Sequence, residues 1–271
     1  SATSRKLIIT VAASAPTLYY YCHYHSGMGG QANTNSTLGS SNFDGSIQST
    51  VKANTTSGFS IVSWTGNATS GATVGHGLGV APESMIVKER GNSNDWVVYH
   101  KSLGTSSGNT NVQFLNLTND IGGGFAGGFN NTDPTSSVFT VGNSTETNRS
   151  NGNFVTYCFS EVTGYSRFGS YAGIGSSDGT FVYTGFRPAW LMIKRFDSSG
   201  NWFILDNKRD TFNEVTKDLY PNTNGTETDN PNFLDFLSNG FKLRTTGTAV
   251  NAGTMIFLAF AESPFKNSRA R

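Results

Sequence analysis

The sequence predicts an all-β protein: a β-sandwich, jelly-roll or lectin-like, built from two duplicated copies and preceded by an N-terminal β-hairpin and an extended arm. Three observations carry this. Short apolar runs rich in β-branched and aromatic residues recur between turn residues. Gly numbers 32 and aromatics reach 13% while charged residues are only 14%, which excludes disordered and coiled-coil chains. And the body of the chain repeats itself, a pattern that decides a fold before any local reading does.

The repeat is read from spacing. Pro82, Lys88 and Trp96 recur as Pro188, Lys194 and Trp202, each at an offset of 106. Met85-Ile86-Val87-Lys88 therefore lies on Leu191-Met192-Ile193-Lys194. Further on the offset slips to 101, where Tyr157-Cys158-Phe159-Ser160-Glu161 meets Leu258-Ala259-Phe260-Ala261-Glu262. Two copies follow, residues 58–163 and 164–267.

In chain order, residues 6–11 (KLIITV) read as a strand and residues 18–22 as a second, so residues 1–33 form a hairpin. Two strands alone are marginal and must pair with something more. Residues 34–57, dominated by Asn, Thr, Ser and Gly, read as a linker or arm. Within the copies, the runs at 85–87, 96–99, 190–193, 202–205 and 255–260 suit strands buried on both faces or inside a sandwich. Asn151-Gly152, Asp178-Gly179 and Asn239-Gly240 are turn dipeptides. Brief helices are expected around 209–219 and 233–237. Copies of about 100 residues with many loops have few core positions, so pooling of their strands in one pseudo-symmetric sandwich is expected.

Chemistry-bearing constellations are few. Cys22-x2-His25-x2-Met28 resembles the ligand loop of cupredoxins, where a thiolate, an imidazole and a weak thioether bind copper. By that resemblance Cys22, His25 and Met28 are the metal ligands. No His precedes His23, so the copper set is incomplete. The reading adopted is a structural hairpin with no cofactor, with copper as the alternative. Cys158, inside a strand-like run, reads as a small buried thiol, and a Cys22–Cys158 bridge stays open. His76 lies in a Gly-rich turn, and the repeat partner of His100 is Asp206. No Gly-x-Ser-x-Gly elbow supports a nucleophile. Glu161 and Glu262 recur together, which argues for structural duty. The run at 122–128 (GGGFAGG) lacks the strand and helix that a phosphate loop needs. The chain therefore reads as non-enzymatic. Among the aromatics, Trp96 and Trp202 are expected in the core. Trp64 and its near counterpart Tyr171, beside Gly- and Ser-rich turns, are the glycan-binding candidates.

Residues 58–67 (GFSIVSWTGN), 74–82 (VGHGLGVAP), 95–100 (DWVVYH), 181–190 (FVYTGFRPAW) and 236–244 (FLSNGFKLR) carry a further resemblance. Over residues 58–267 the chain resembles uncharacterised tail-fibre-like virion structural proteins of marine and environmental bacteriophages. The resemblance implies a subunit of a tail fibre, capsid fibre or surface decoration, placed on the extracellular virion surface. It implies a homo-oligomer, a trimer by the habit of phage appendages, with other virion proteins and a host surface glycan as partners. Two alternatives stand beside it: a carbohydrate-binding sandwich module, and a subunit of a self-assembling extracellular filament. A net charge of +1 gives no reason to expect nucleic acid, and no apolar run is long enough to span a membrane.

Overall fold

A computed structural model describes residues 18–21, 29–32, 39–106, 109–121, 125 and 127–263. The chain is nearly all antiparallel β. Strands β1 (Leu18–Tyr21) and β2 (Gly29–Ala32) form a hairpin, with Tyr21 opposite Gly29, as a two-stranded sheet of its own; residues 6–11, the partner expected for 18–22, lie outside the described residues.

The first copy begins earlier than its sequence suggests. Strands β3 (Ser40–Asn42) and β4 (Ser49–Asn54) belong to it, so residues 39–57 are not a linker. The reason is alternation: Ser49 and Val51 turn inward while Thr50 and Lys52 face water, and Ile47 adds a third buried side chain. There follow β5 (Phe59–Thr65), β6 (Ala72–Gly75), β7 (Ser84–Glu89), β8 (Val97–His100), a 3-10 turn (Lys101–Leu103), the short pair β9 (Thr105–Ser106) and β10 (Asn109–Thr110), β11 (Gln113–Phe114), β12 (Val138–Val141), helix α1 (Thr145–Asn148) and β13 (Asn153–Phe159). Seven of these make one sheet in the order β11-β8-β7-β13-β5-β4-β3, and β6 pairs with β12 to make a small facing sheet.

The second copy comprises β14 (Ser166–Ile174), β15 (Phe181–Tyr183), β16 (Pro188–Arg195), β17 (Trp202–Asp206), β18 (Val215–Asp218), β19 (Thr228–Leu237), β20 (Gly240–Leu243), helix α2 (Thr248–Asn251) and β21 (Ala252–Ala261). Its sheets are β14-β21-β16-β17 and β15-β20-β19-β18. The stretches expected as helices hold β18 and part of β19, because Val215 pairs with Leu234 across two strands. Among the described residues two α-helices form, each a single turn.

The strands are not pooled. One core draws only on the first copy, with Trp64, Met85, Val87, Phe139 and Phe154 among its members. A second draws only on the second copy, with Leu191, Ile193, Phe203, Leu234 and Phe257. A third lies between them, where Ile86, Val98, Leu103 and Phe159 meet Phe168, Met192, Trp202, Ile256 and Leu258. Period-two alternation explains all three. In β16, Leu191 and Ile193 face the second core while Met192 faces the seam. The central strands are thus buried on both faces, which is why they read as continuous apolar runs. The result is four stacked β layers: two sandwiches fused face to face.

Candidate functional site

The repeated residues turn out to build equivalent supports. Lys88 Nζ donates to the carbonyl of Asn92 at 2.8 Å and to that of Asn94. Lys194 Nζ donates to Gly200 O at 2.8 Å and, across the seam, to Thr118 O at 3.2 Å. Each lysine clamps the turn of its own hairpin, and burial pulls the Lys194 ammonium down to about 8. The amides of Trp96 and Trp202 each donate 2.9 Å bonds, to Asn116 Oδ1 and Asn222 Oδ1 respectively. These asparagines also recur at the 106 offset, a signal present in the sequence but hidden in so Asn-rich a chain.

Asn148 and Asn251, both fully buried, end the two short helices. Asn148 Nδ2 donates to Gly142 O (2.8 Å) and Thr69 O (3.0 Å), and its Oδ1 accepts from the Asn67 amide. Asn251 Nδ2 donates to Thr245 O (2.6 Å) and Ser176 O (2.8 Å), and its Oδ1 accepts from the Ile174 amide. Sequence reasoning missed both.

The histidines serve the backbone. His76 is buried, accepts from the Leu78 amide at Nδ1, and has Nε2 3.1 Å from Thr135 O. Its turn is pinned, not free. His100 accepts from the Ser102 amide at Nδ1 (3.1 Å), so Nε2 carries the proton and donates 3.2 Å to Phe257 O of the other sandwich. Burial pushes its pKa down to about 4. Its repeat partner Asp206 does the same local work, accepting from the Lys208 and Arg209 amides.

The predicted glycan-binding rings lie in the cores. Trp64 is 5% exposed and stacked on Phe154 with centroids 5.2 Å apart, edge-on to Phe139. Tyr171 is 7% exposed, and its hydroxyl donates to Val250 O at 2.7 Å. Alternation decides this: both rings fall on inward positions, and the Gly169, Ser170 and Gly173 neighbours of Tyr171 lie within β14 rather than in a turn. Trp202 is fully buried as expected, with Nε1 donating to Phe114 O across the seam, whereas Trp96 is only half-buried. Cys158 is a free buried thiol, pushed up to about 12 by burial. Cys22, His25 and Met28 lie outside the described residues. Among the described residues, no three His, Cys, Asp or Glu side chains cluster closely enough to hold a metal.

The feature best suited to binding is a groove of about 350 Å3 along β14. One wall is the edge of that strand from Arg167 to Tyr171, and the other is β15, with Val182 and Phe257 between them. Phe181 and Tyr183, 44% and 64% exposed, form the rim. At one end Glu161 pairs with Lys101 (3.1 Å) and Arg167 (3.2 Å) and accepts from the Phe168 amide at 2.8 Å. A wider cleft lined by Asp235, Arg244 and Thr245 is polar, and its Arg244–Asp235 pair is closed at 2.6 Å.

A family model described as a domain of unknown function, DUF7483, matches residues 32–264. The chain belongs to that family. The match includes β3 and β4, in agreement with their place in the first sandwich. No curated protein and no solved structure matches the chain. Among the described residues no helix is long and apolar enough to cross a membrane.

Proposed function

We propose that this chain is a non-enzymatic virion structural protein, a subunit of a phage tail fibre, capsid fibre or surface decoration, lying on the particle surface and contacting the host there. The resemblance over residues 58–267 supplies the setting. The observation that carries the reading is how the chain spends its reactive groups. His76, His100 and Lys194 are committed to backbone carbonyls and amides, two of them across the seam. Groups held this way lock two sandwiches into one body and are withdrawn from substrate chemistry. The N-terminal hairpin, in a sheet apart from either sandwich, suits an arm that completes itself on a neighbour. The reading as a free glycan-binding module loses support, because the two rings it rested on are buried.

The test is solution mass by size exclusion with light scattering, on the full chain and on the chain lacking residues 1–38. That deletion leaves all three cores whole, since their members begin at Ile47. A trimer or larger assembly that falls to monomer on deletion is the expected result. A monomer in both cases would overturn the proposal.

A further inference from the structure

The two sandwiches differ at one edge. In the first, β5 lies between β13 and β4, paired with β4 from Ser49↔Trp64 to Asn54↔Phe59. Just before β4, Ile47 bridges to Val74 of β6. The segment thus closes the gap between the two sheets and sends Ile47 and Val51 into it, 7% and 8% exposed. In the second, β14 stands for β5 and β15 for β6, since each pairs with the corresponding strand, β21 or β20. Among the described residues nothing stands for β4. The chain before β14 is β13, already fixed between β5 and β7. The groove along β14 lies where β4 lies in the first sandwich.

The backbone there is open. Ser166 and Phe168 give their amides to Val162 O and Glu161 Oε1, so even-numbered residues of β14 face away from β21. By alternation Ser170 and Ala172 present theirs to the groove. Ala172 O accepts from Thr180 Oγ1, while no described residue bonds the Ser170 amide. Edge strands are usually kept short or blocked: β3 has three residues and β11 two, but β14 has nine, without proline.

We infer that this groove is a strand-acceptor site, filled by residues 6–11 (KLIITV) of a second copy of the chain. The donated strand adds to β14 as β4 adds to β5, with Leu7, Ile9 and Val11 on the face that enters the gap. Each copy carries one donor segment and one acceptor groove, so each gives one strand and takes one. Such a head-to-tail contact closes into a ring or runs on as a filament. This names the contact behind the assembly proposed above and rests on that reading.

Hydrogen exchange on the full chain across concentration tests it, alongside disulfide trapping of Ile9→Cys with Ser170→Cys in a Cys22→Ser background. The Ser170 and Ala172 amides are expected to exchange fast in dilute monomer and about tenfold or more slowly in the assembly. Mild oxidation of a mixture of the chain with Ile9→Cys and the chain with Ser170→Cys should give a covalent dimer, and neither alone should, since Cys158 is buried in both. Leu7→Lys with Val11→Lys should abolish both signals. An assembly in which Ser170 stays unprotected and no disulfide forms would sink the groove but leave the subunit reading standing. A monomer at every concentration sinks both. Protection independent of concentration, with the double-cysteine chain trapped at monomer mass, would show self-filling and overturn the second-copy assignment.

Discussion

The two sandwiches share their central strands and differ in what they add to them. The first extends its large sheet, placing β4 and β3 outside β5 and β11 outside β8. The second extends its small sheet, placing β19 and β18 beyond β20. Where the second has those strands, the first has the loop that carries Phe125 and Phe129 onto its core. A duplicated scaffold has thus been finished in two ways, and the repeated residues mark what both need: a clamped hairpin turn, an asparagine under the tryptophan, and a buried asparagine at the helix end.

The tryptophans break this equivalence most sharply. Trp202 is fully buried in the seam and bonded to Phe114 O, whereas Trp96 is only half-buried. Trp202→Ala should cost about 3–5 kcal/mol in urea unfolding, by cavity and lost hydrogen bond together. Trp96→Ala should cost less than half of that. Equal losses would mean that the repeat, not the seam, sets their value.

The asparagines should behave alike where the tryptophans do not. Asn148→Ala and Asn251→Ala each strand buried carbonyls, Gly142 O and Thr69 O in one case, Thr245 O and Ser176 O in the other. Each is expected to lose about 2–3 kcal/mol. If only one variant unfolds early, the two helix ends are not the same device.

His100 and Asp206 share one local task but respond to pH differently. His100 titrates near 6.5 when unfolded and near 4 when folded, so between those values the unfolded chain holds more protons. Stability therefore falls as pH drops from 6.5 towards 4, by about 2 kcal/mol between pH 6.5 and 5. His76, also lowered by burial, adds in the same direction. For Asp206, burial opposes ionisation, but the Arg209 and Lys208 amides and the Arg209 side chain hold the carboxyl below its usual range. Its contribution is present above the ordinary carboxylate range and is lost only as pH falls through it. Urea midpoints at pH 7, 6 and 5 should shift in wild type and much less in His100→Gln; an unchanged slope in the variant would place the proton elsewhere.

Much of this was legible in the sequence. The Pro82, Lys88 and Trp96 spacing exposed the duplication because residues that fix a hairpin cannot drift. The strands were visible because burial on two faces leaves no polar alternation to confuse them. What failed did so for physical reasons. β4 (STVKAN) buries one apolar side chain in six residues, too few to stand out from its polar surroundings. Trp64 and Tyr171 have Gly and Ser nearby in the chain, yet which face of a strand a ring occupies is set by register, not by neighbours. The missing counterpart of β4 could be seen only once the strands were paired, and with it the groove.

The smallest test uses the repeat as its own control. Cys158 in β13 pairs with Ser60 and Met85, and its counterpart in β21 is Ala259, paired with Arg167 and Leu191. Both side chains are fully buried, one in each sandwich core. The second sandwich therefore packs closely around a methyl where the first accommodates a thiol. Cys158→Ala writes the second copy's residue into the first, but the first core keeps the shape that fits sulfur. The expected cost is about 1 kcal/mol, the loss of one buried heavy atom with limited collapse. A thiol with its pKa pushed up to about 12 should also stay unmodified by a thiol reagent in folded protein and react on unfolding. A gain in stability on Cys158→Ala would mean that the two cores are interchangeable at this position, and that the sandwiches differ only at their edges.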